Sequence, residues 1–185
     1  MRSILPLAGL LLSVGCAMQP PGPSADLPPD AVQGAGDPTR GAISQSSYVF
    51  ANPAQFAGRP GDVARAVANL EFLAISLPAD PRFSPISGVI SGQLVAGRDE
   101  ARRGLGIAGT APPQPVIDGL YAASRALRVG DRASAERALT SPTFGAGGPE
   151  TLRRLEVAQR LPIASAATNR AAEEMSTTRT DRAIR

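Results

Sequence analysis

The sequence contains no histidine, no tryptophan and no lysine, and its one cysteine is Cys16. Metal sites built from imidazole and thiolate ligands are therefore excluded. Nucleophilic systems of the Ser-His-Asp or Cys-His type are excluded as well, because their general base is missing. One cysteine cannot form a disulfide within the chain, so the stability of the fold has to come from packing. We therefore expect no cofactor, no metal and no catalytic set.

The nineteen basic residues are all arginine and stand against sixteen acidic residues, which gives a formal charge of +3. Together with the abundance of alanine and glycine, this use of arginine is typical of a GC-rich genome. A nucleic-acid-binding surface would require arginines clustered on one face, and here they alternate with acidic residues. We therefore expect no nucleic-acid partner.

Residues 1–15 have the pattern of a secretory signal peptide. Arg2 gives a basic start, an uncharged apolar run follows from Ile4 to Val14, and a small residue precedes Cys16. The run is eleven residues long, well short of the ~20 needed to cross a bilayer as a helix.

The stretch Leu12-Ser13-Val14-Gly15-Cys16 resembles the lipobox of bacterial lipoproteins. In that family a peptidase cuts before the cysteine after its sulfur has been diacylated, so the resemblance implies that Cys16 is the lipidated first residue of the mature protein. Ser13 departs from the leucine that is commonest at this position. The alternative is an ordinary signal peptidase cut after Ala17, because Gly15-Cys16-Ala17 also satisfies the small-x-small rule.

The resemblance also bears on localisation. Ala17 is not the aspartate that retains enterobacterial lipoproteins in the inner membrane. An outer-membrane lipid anchor that faces the periplasm is therefore favoured, with the inner membrane or the soluble periplasm as alternatives.

The remainder divides by composition into three parts. Residues 16–47 are rich in Pro, Gly, Ser, Gln and Asp, and we predict a disordered tether there. Residues 48–176 carry the apolar periodicity, and we predict that they fold by themselves as a helical domain. Residues 177–185 are predicted to be a disordered polar tail.

We predict an all-α fold, either a small bundle or stacked helix pairs, of five to six short helices. The helices are expected over residues 62–77, 84–103, 115–129, 131–139 and 149–161, with a further helix after Pro162.

Several positions in these helices carry specific expectations. Phe72 lies on the otherwise polar side of the first helix, which indicates that this helix is covered on more than one face. Asp62, Arg65, Asn69 and Ser76 are expected to face water. In the second helix, Gly88 and Gly92 are expected to allow close helix packing, and the charged cluster Arg98–Arg103 is expected to be a solvated face.

Residues 121–139 resemble one helix pair of a tetratricopeptide repeat, with a Gly130-Asp131 turn and Ala135 at the helix crossing. Weaker copies of the pattern surround Ala66 and Ala101, spaced by roughly the 34-residue period of that repeat. True repeats, a similar helix pair and an irregular bundle all stay open.

The function predicted from these features is a lipid-anchored, non-enzymatic binding or scaffold protein of the envelope, with the membrane and an envelope protein as partners. One alternative is a diffusible periplasmic protein. Another is a small-ligand carrier, which would need a sizeable apolar cavity.

The enzyme alternative is a helical glycan-cleaving or other cell-wall-modifying protein that uses a lone glutamate as general acid and base. Glu71 is its candidate residue, and the competing interpretation of Glu71 is a solvated helix flank. A concave pocket that buries Glu71 without an arginine partner would favour the enzyme.

Overall fold

A computed structural model describes residues 24–31, 36–83, 88–140 and 142–183. As predicted, the fold is all-α. Over the described residues it has eight α-helices: α1 Pro38–Ala51, α2 Pro53–Phe56, α3 Pro60–Ser76, α4 Gly88–Leu105, α5 Pro113–Arg128, α6 Arg132–Ala138, α7 Gly148–Val157 and α8 Pro162–Ala183. Single turns of 3-10 helix lie at Pro29–Ala31 and Pro81–Phe83. None of the described helices combines the length and the hydropathy that a membrane span requires.

Helix α3 is the centre of the bundle. Helices α1, α4 and α5 pack around it, and α8 lies across α1 and α4. Small and apolar residues occur on every face of α3, so neighbours can approach it from all sides. Phe72 is buried, which confirms that this helix is covered on more than one face. Asn69, which was expected to face water, is also buried.

The contacts along α3 define two ends of the bundle. At the C-terminus of α3, Ser76 lies beside Pro38, the first residue of α1. At the N-terminus of α3, Val63 lies beside Phe50 near the end of α1 and Leu105 at the end of α4. Helices α1 and α4 therefore run antiparallel to α3. We call the Ser76 end the entry end, because the described chain begins there, and the Val63 end the groove end.

The predicted disordered tether over residues 16–47 is wrong for much of its length. Asp37 caps α1 by accepting a hydrogen bond from the backbone N–H of Thr39 at 2.9 Å. Pro38 follows at the first helical position, where proline is favourable. Ile43 is fully buried in the core. Residues 38–47 therefore belong to the folded domain, and residues 16–23 and 32–35 lie outside the described part.

Residues 24–31, which we call the entry segment, also pack on the bundle. Ala25 is 6% exposed and belongs to the core. The Ser76 hydroxyl donates to the carbonyl oxygen of Ala25 at 3.0 Å. Asp26 and Gln114 are joined twice: the backbone N–H of Asp26 donates to the side-chain oxygen of Gln114 at 2.8 Å, and the amide of Gln114 donates back to the Asp26 carbonyl at 3.1 Å.

An ion pair ties the other end of the entry segment to α5. The Nε of Arg125 donates to a carboxylate oxygen of Asp30 at 2.8 Å, and the same guanidinium makes a second bond to the other oxygen. This pairing lowers the pKa of Asp30 to about 2. Asp30 is therefore charged, and the pair intact, at neutral pH.

The remaining helices agree with the prediction to within a few residues, apart from the C-terminus. Helix α8 continues to Ala183, so the predicted disordered tail over residues 177–185 is wrong for residues 177–183. Gly88 and Gly92 have open space around them, and the close packing expected there is wrong. Helix α4 instead meets α8 at Gly97, where an added Cβ would lie 2.8 Å from the Cα of Ala164.

Helices α5 and α6 form the helix pair predicted over residues 121–139. Gly130 has φ of +77° in the connecting turn, and Asp131 caps α6 by accepting from the backbone N–H of Ser134 at 2.9 Å. Ala135 is fully buried. Residues 97–105, which carry the middle copy of the pattern, lie within α4 and contain no such turn. The resemblance to tetratricopeptide repeats stays a prediction.

The position of α1 changes the expectation for the fragment of residues 48–176. This fragment lacks the first ten residues of α1, including Ile43, whose burial alone contributes about 2 kcal/mol. Because domains of this size are stable by only ~5–15 kcal/mol, we expect the fragment to lose its cooperative thermal transition. Residues 24–183 should retain it. Thermal melts followed by circular dichroism at the helix band test both, and a cooperative transition of residues 48–176 at the temperature of the longer fragment would contradict the packing role of α1.

Candidate functional site

Glu71, the candidate from the sequence, lies in the centre of the bundle. Glu71 is 0% exposed, and Arg102 of α4, which lies beside it, is 3% exposed. The Nε of Arg102 donates to Oε1 of Glu71 at 2.6 Å, and Nη2 donates to Oε2 at 2.7 Å. The solvated helix flank expected for Glu71 is therefore wrong. The solvated face expected for Arg98–Arg103 is wrong at Arg102.

The same guanidinium also holds the connection between α4 and α5. Its Nη1 donates to the carbonyl oxygens of Gly109 at 3.0 Å and Ala111 at 2.9 Å. One side chain thus joins α3, α4 and the loop that leads into α5. This arrangement is structural, because both carboxylate oxygens and all three guanidinium nitrogens already have partners within the protein.

Burial raises the pKa of the Glu71 carboxyl, and the hydrogen bonds from Arg102 act in the opposite direction. The two parallel N–H···O bonds from Arg102 form the bidentate geometry in which a guanidinium binds a carboxylate. A general acid and base needs a carboxyl that can reach a substrate and exchange a proton. Glu71 is buried and has the arginine partner, so it does not meet the condition set for the enzyme alternative.

A second buried polar group joins α1, α3 and α5. The hydroxyl of Tyr121 donates to the side-chain oxygen of Asn69 at 2.7 Å, and the amide of Asn69 donates to the side-chain oxygen of Gln45 at 2.7 Å. Burial raises the pKa of Tyr121. These groups satisfy one another, as buried polar groups in a stable core do, and they present no free atom to a ligand.

The described residues provide neither a candidate metal site nor the predicted lipidation site. Within them, no group of three or more acidic, histidine or cysteine side chains is placed to hold a metal ion. Cys16, the predicted lipidation site, lies outside the described residues. Its modification stays a prediction.

One surface feature that could accept a partner is a groove at the groove end, between the end of α1, α2 and the start of α8. Its volume is about 510 Å³. Phe50 and Leu161 are its buried apolar residues. The rest of the lining is Ala51, Asn52, Pro53, Ala54, Gln55, Arg160, Pro162 and Ser165. The groove therefore combines an apolar base with amide, hydroxyl and guanidinium groups.

Arg160 is the charged member of this lining. It is exposed, and no ion pair in the described part of the chain involves it. The arginines of the preceding helix α7 differ, because Arg153 and Arg154 both pair with Glu150. Arg160 thus offers an unpaired positive charge at the groove.

A small apolar cavity behind the groove shares Phe50, Pro53 and Leu161 with it. Its volume is about 20 Å³, which is enough for roughly one water molecule. This cavity is too small for the ligand of a carrier protein. Ala158 lines it with a left-handed backbone at φ of 47°, a conformation that ends α7 and turns the chain toward α8.

No family model, no curated protein and no solved structure matches this chain.

The groove is not predicted from the sequence. Pro53 and Pro162, which begin α2 and α8, are visible as helix starts. No local signal shows that these two helix starts face each other across a groove.

The Glu71–Arg102 pair yields a stability prediction. Glu71→Ala leaves a buried guanidinium without its counter-charge, and we expect the free energy of unfolding to fall by about 3–5 kcal/mol. The double variant with Glu71→Leu and Arg102→Met replaces both charges. Its loss in the free energy of unfolding should be clearly smaller than the summed losses of the Glu71→Leu and Arg102→Met single variants. As a surface control, Glu150→Ala should cost clearly less than Glu71→Ala, because water screens the ion pairs of Glu150 with Arg153 and Arg154. Urea unfolding measures the single variants, the double variant and the surface control, and similar losses for Glu71→Ala and Glu150→Ala would contradict a structural role for the buried pair.

Proposed function

We propose that this protein is a lipid-anchored component of a bacterial envelope that binds a segment of another envelope protein in the groove between α1, α2 and α8. It acts by binding and catalyses no reaction. The observation that carries the proposal is the lining of the groove, which pairs a buried apolar base with hydrogen-bonding side chains and one unpaired arginine.

The lining defines the chemistry of the partner segment. Phe50 and Leu161 favour an apolar side chain seated at the base. The amide nitrogen of Asn52 already donates to the Tyr48 carbonyl oxygen at 2.8 Å, and the side-chain oxygen of Gln55 accepts from the Tyr48 hydroxyl at 3.1 Å. The Asn52 oxygen can still accept from an extended peptide backbone, and the Gln55 nitrogen can still donate to it. Arg160 favours a carboxylate, which its guanidinium can bind through two parallel hydrogen bonds. The partner segment is therefore extended and has an acidic residue close to an apolar one.

The anchor in this proposal is the lipidated Cys16. Each buried methylene of an acyl chain contributes about 0.8 kcal/mol, so two or three chains hold a protein stably. Confinement to the membrane raises the effective concentration of the domain near its partner, so a weak interface suffices. An outer-membrane location facing the periplasm is the favoured placement.

Photo-crosslinking in cells tests the groove. A photoreactive amino acid at Gln55 should form an adduct of defined mass, whereas the same group at Ala133, an exposed residue of α6 outside the groove lining, should form none. Filling the groove with Ala54→Trp should remove the adduct. Ala166→Trp, an exposed alanine on α8 outside the groove lining, should leave it unchanged. Arg160→Glu should weaken the adduct by reversing the charge.

Two results would overturn the binding proposal: adducts of equal yield from positions 55 and 133, or adducts that survive Ala54→Trp. The anchor is tested in the same cells with a palmitate analogue. Wild type should be labelled, and equal labelling of Cys16→Ala would exclude lipidation at Cys16.

A further inference from the structure

We infer that a short lead between Cys16 and the bundle holds the entry end against the bilayer and points the groove away from it. The inference rests on the proposed lipidation of Cys16. It extends the proposed function in two ways: it states which surface of the bundle faces the lipid, and it states from which side the partner reaches the groove.

The first step is the length of the lead. Seven residues, Ala17 to Pro23, separate Cys16 from Ser24, where the described chain begins. Fully extended, this stretch reaches at most roughly 28 Å, and a flexible chain of the same length averages about 15 Å. Helix α8 alone has twenty-two residues and is about 33 Å long. The lead is therefore shorter than the bundle.

The second step is the place where the lead begins. Ala25 is buried and Asp26 is joined to Gln114 by two hydrogen bonds. The Asp30–Arg125 ion pair holds the other end of the entry segment. Because these contacts fix the segment on the bundle, its residues add nothing to the reach of the lead. The lead begins at the entry end.

The third step is the surface at that end. Residues 88–97, the first three turns of α4, contain no charged side chain. Val89 is 69% exposed and Val95 is 37% exposed, and no helix in the described part of the chain covers them. The entry end also carries the Asp37–Arg40 ion pair at the start of α1, so its uncharged face is limited to α4. At the groove end, exposed helices carry ion pairs such as Arg132–Glu156 and Arg153–Glu150. Bringing an uncharged, partly apolar face to the lipid headgroups avoids the cost of desolvating ions.

The groove lies at the other end of α1. This helix has fourteen residues from Pro38 to Ala51, so it separates the groove from the entry end by about 20 Å. A partner therefore reaches the groove from the aqueous side of the membrane. A segment embedded in the bilayer does not.

The experiment uses the chain from Cys16 to Arg185 with a lipid attached chemically to the Cys16 thiol, bound to phosphatidylcholine vesicles. A fluorescent amino acid replaces either Val89, at the entry end, or Val129 at the groove end. Val129 is an exposed valine that follows α5, and the last turns of α5 lie beside Gly61 at the start of α3. A nitroxide on the lipid headgroup quenches nearby fluorophores. We expect several-fold stronger quenching at position 89 than at position 129. Inserting twenty Gly/Ser residues between Pro23 and Ser24 should remove the difference.

Equal quenching at the two positions with the natural lead, or stronger quenching at position 129, would overturn the inference. Because the lipid is attached chemically, the assay does not depend on lipidation in cells. Absence of palmitate labelling in cells would therefore remove the proposed anchor without changing the quenching result. The two failures can be told apart.

Discussion

The fold depends most on one interaction, the buried pair of Glu71 and Arg102. The carboxylate lies on α3 and the guanidinium on α4, and the guanidinium also binds the loop that starts α5. Two desolvated charges cost several kcal/mol each unless their geometry is nearly ideal and every remaining donor is satisfied. Here the two-pronged contact and the loop carbonyls meet that requirement. The pair therefore fixes how α4 and α5 are placed on the central helix.

The rest of the bundle follows from that placement. Because α3 is surrounded, its outward neighbours α1, α4 and α5 each present one face to it and one face to the surface. The groove arises where α1 ends and α8 begins, and the described chain begins at the opposite end beside Ser76. Binding surface and chain entry are thus separated by the length of the helices, which is the geometric basis for the proposed function and for the inferred orientation.

Much of the fold could be predicted from the sequence, because helix starts and stops are local signals. Asp131 and Gly130 mark a cap and a turn that the structure confirms. Helix α1 was missed although Asp37-Pro38 is a helix start, because the surrounding Pro, Gly and Ser composition is also typical of disorder. Composition averages over a stretch, whereas a cap and a few buried residues such as Ile43 decide whether it folds.

The buried polar residues could not be predicted in the same way. Glu71 and Arg102 are thirty-one positions apart, and each has a helical neighbourhood that is equally compatible with a solvated face. Their pairing depends on the packing of α4 against α3, which no local pattern encodes. Asn69 was placed in water for the same reason, and the groove depends on two helix termini that are distant in sequence.

The measurement that tests the central claim most directly is hydrogen exchange of the arginine side chains, followed by NMR. The account predicts that Arg102 retains its Nε–H signal long after transfer to D₂O, because that proton is buried and bonded to Glu71. The signal should be assigned by its loss in Arg102→Met. Exchange of the Arg102 Nε–H at the rate of exposed guanidinium groups would contradict the account.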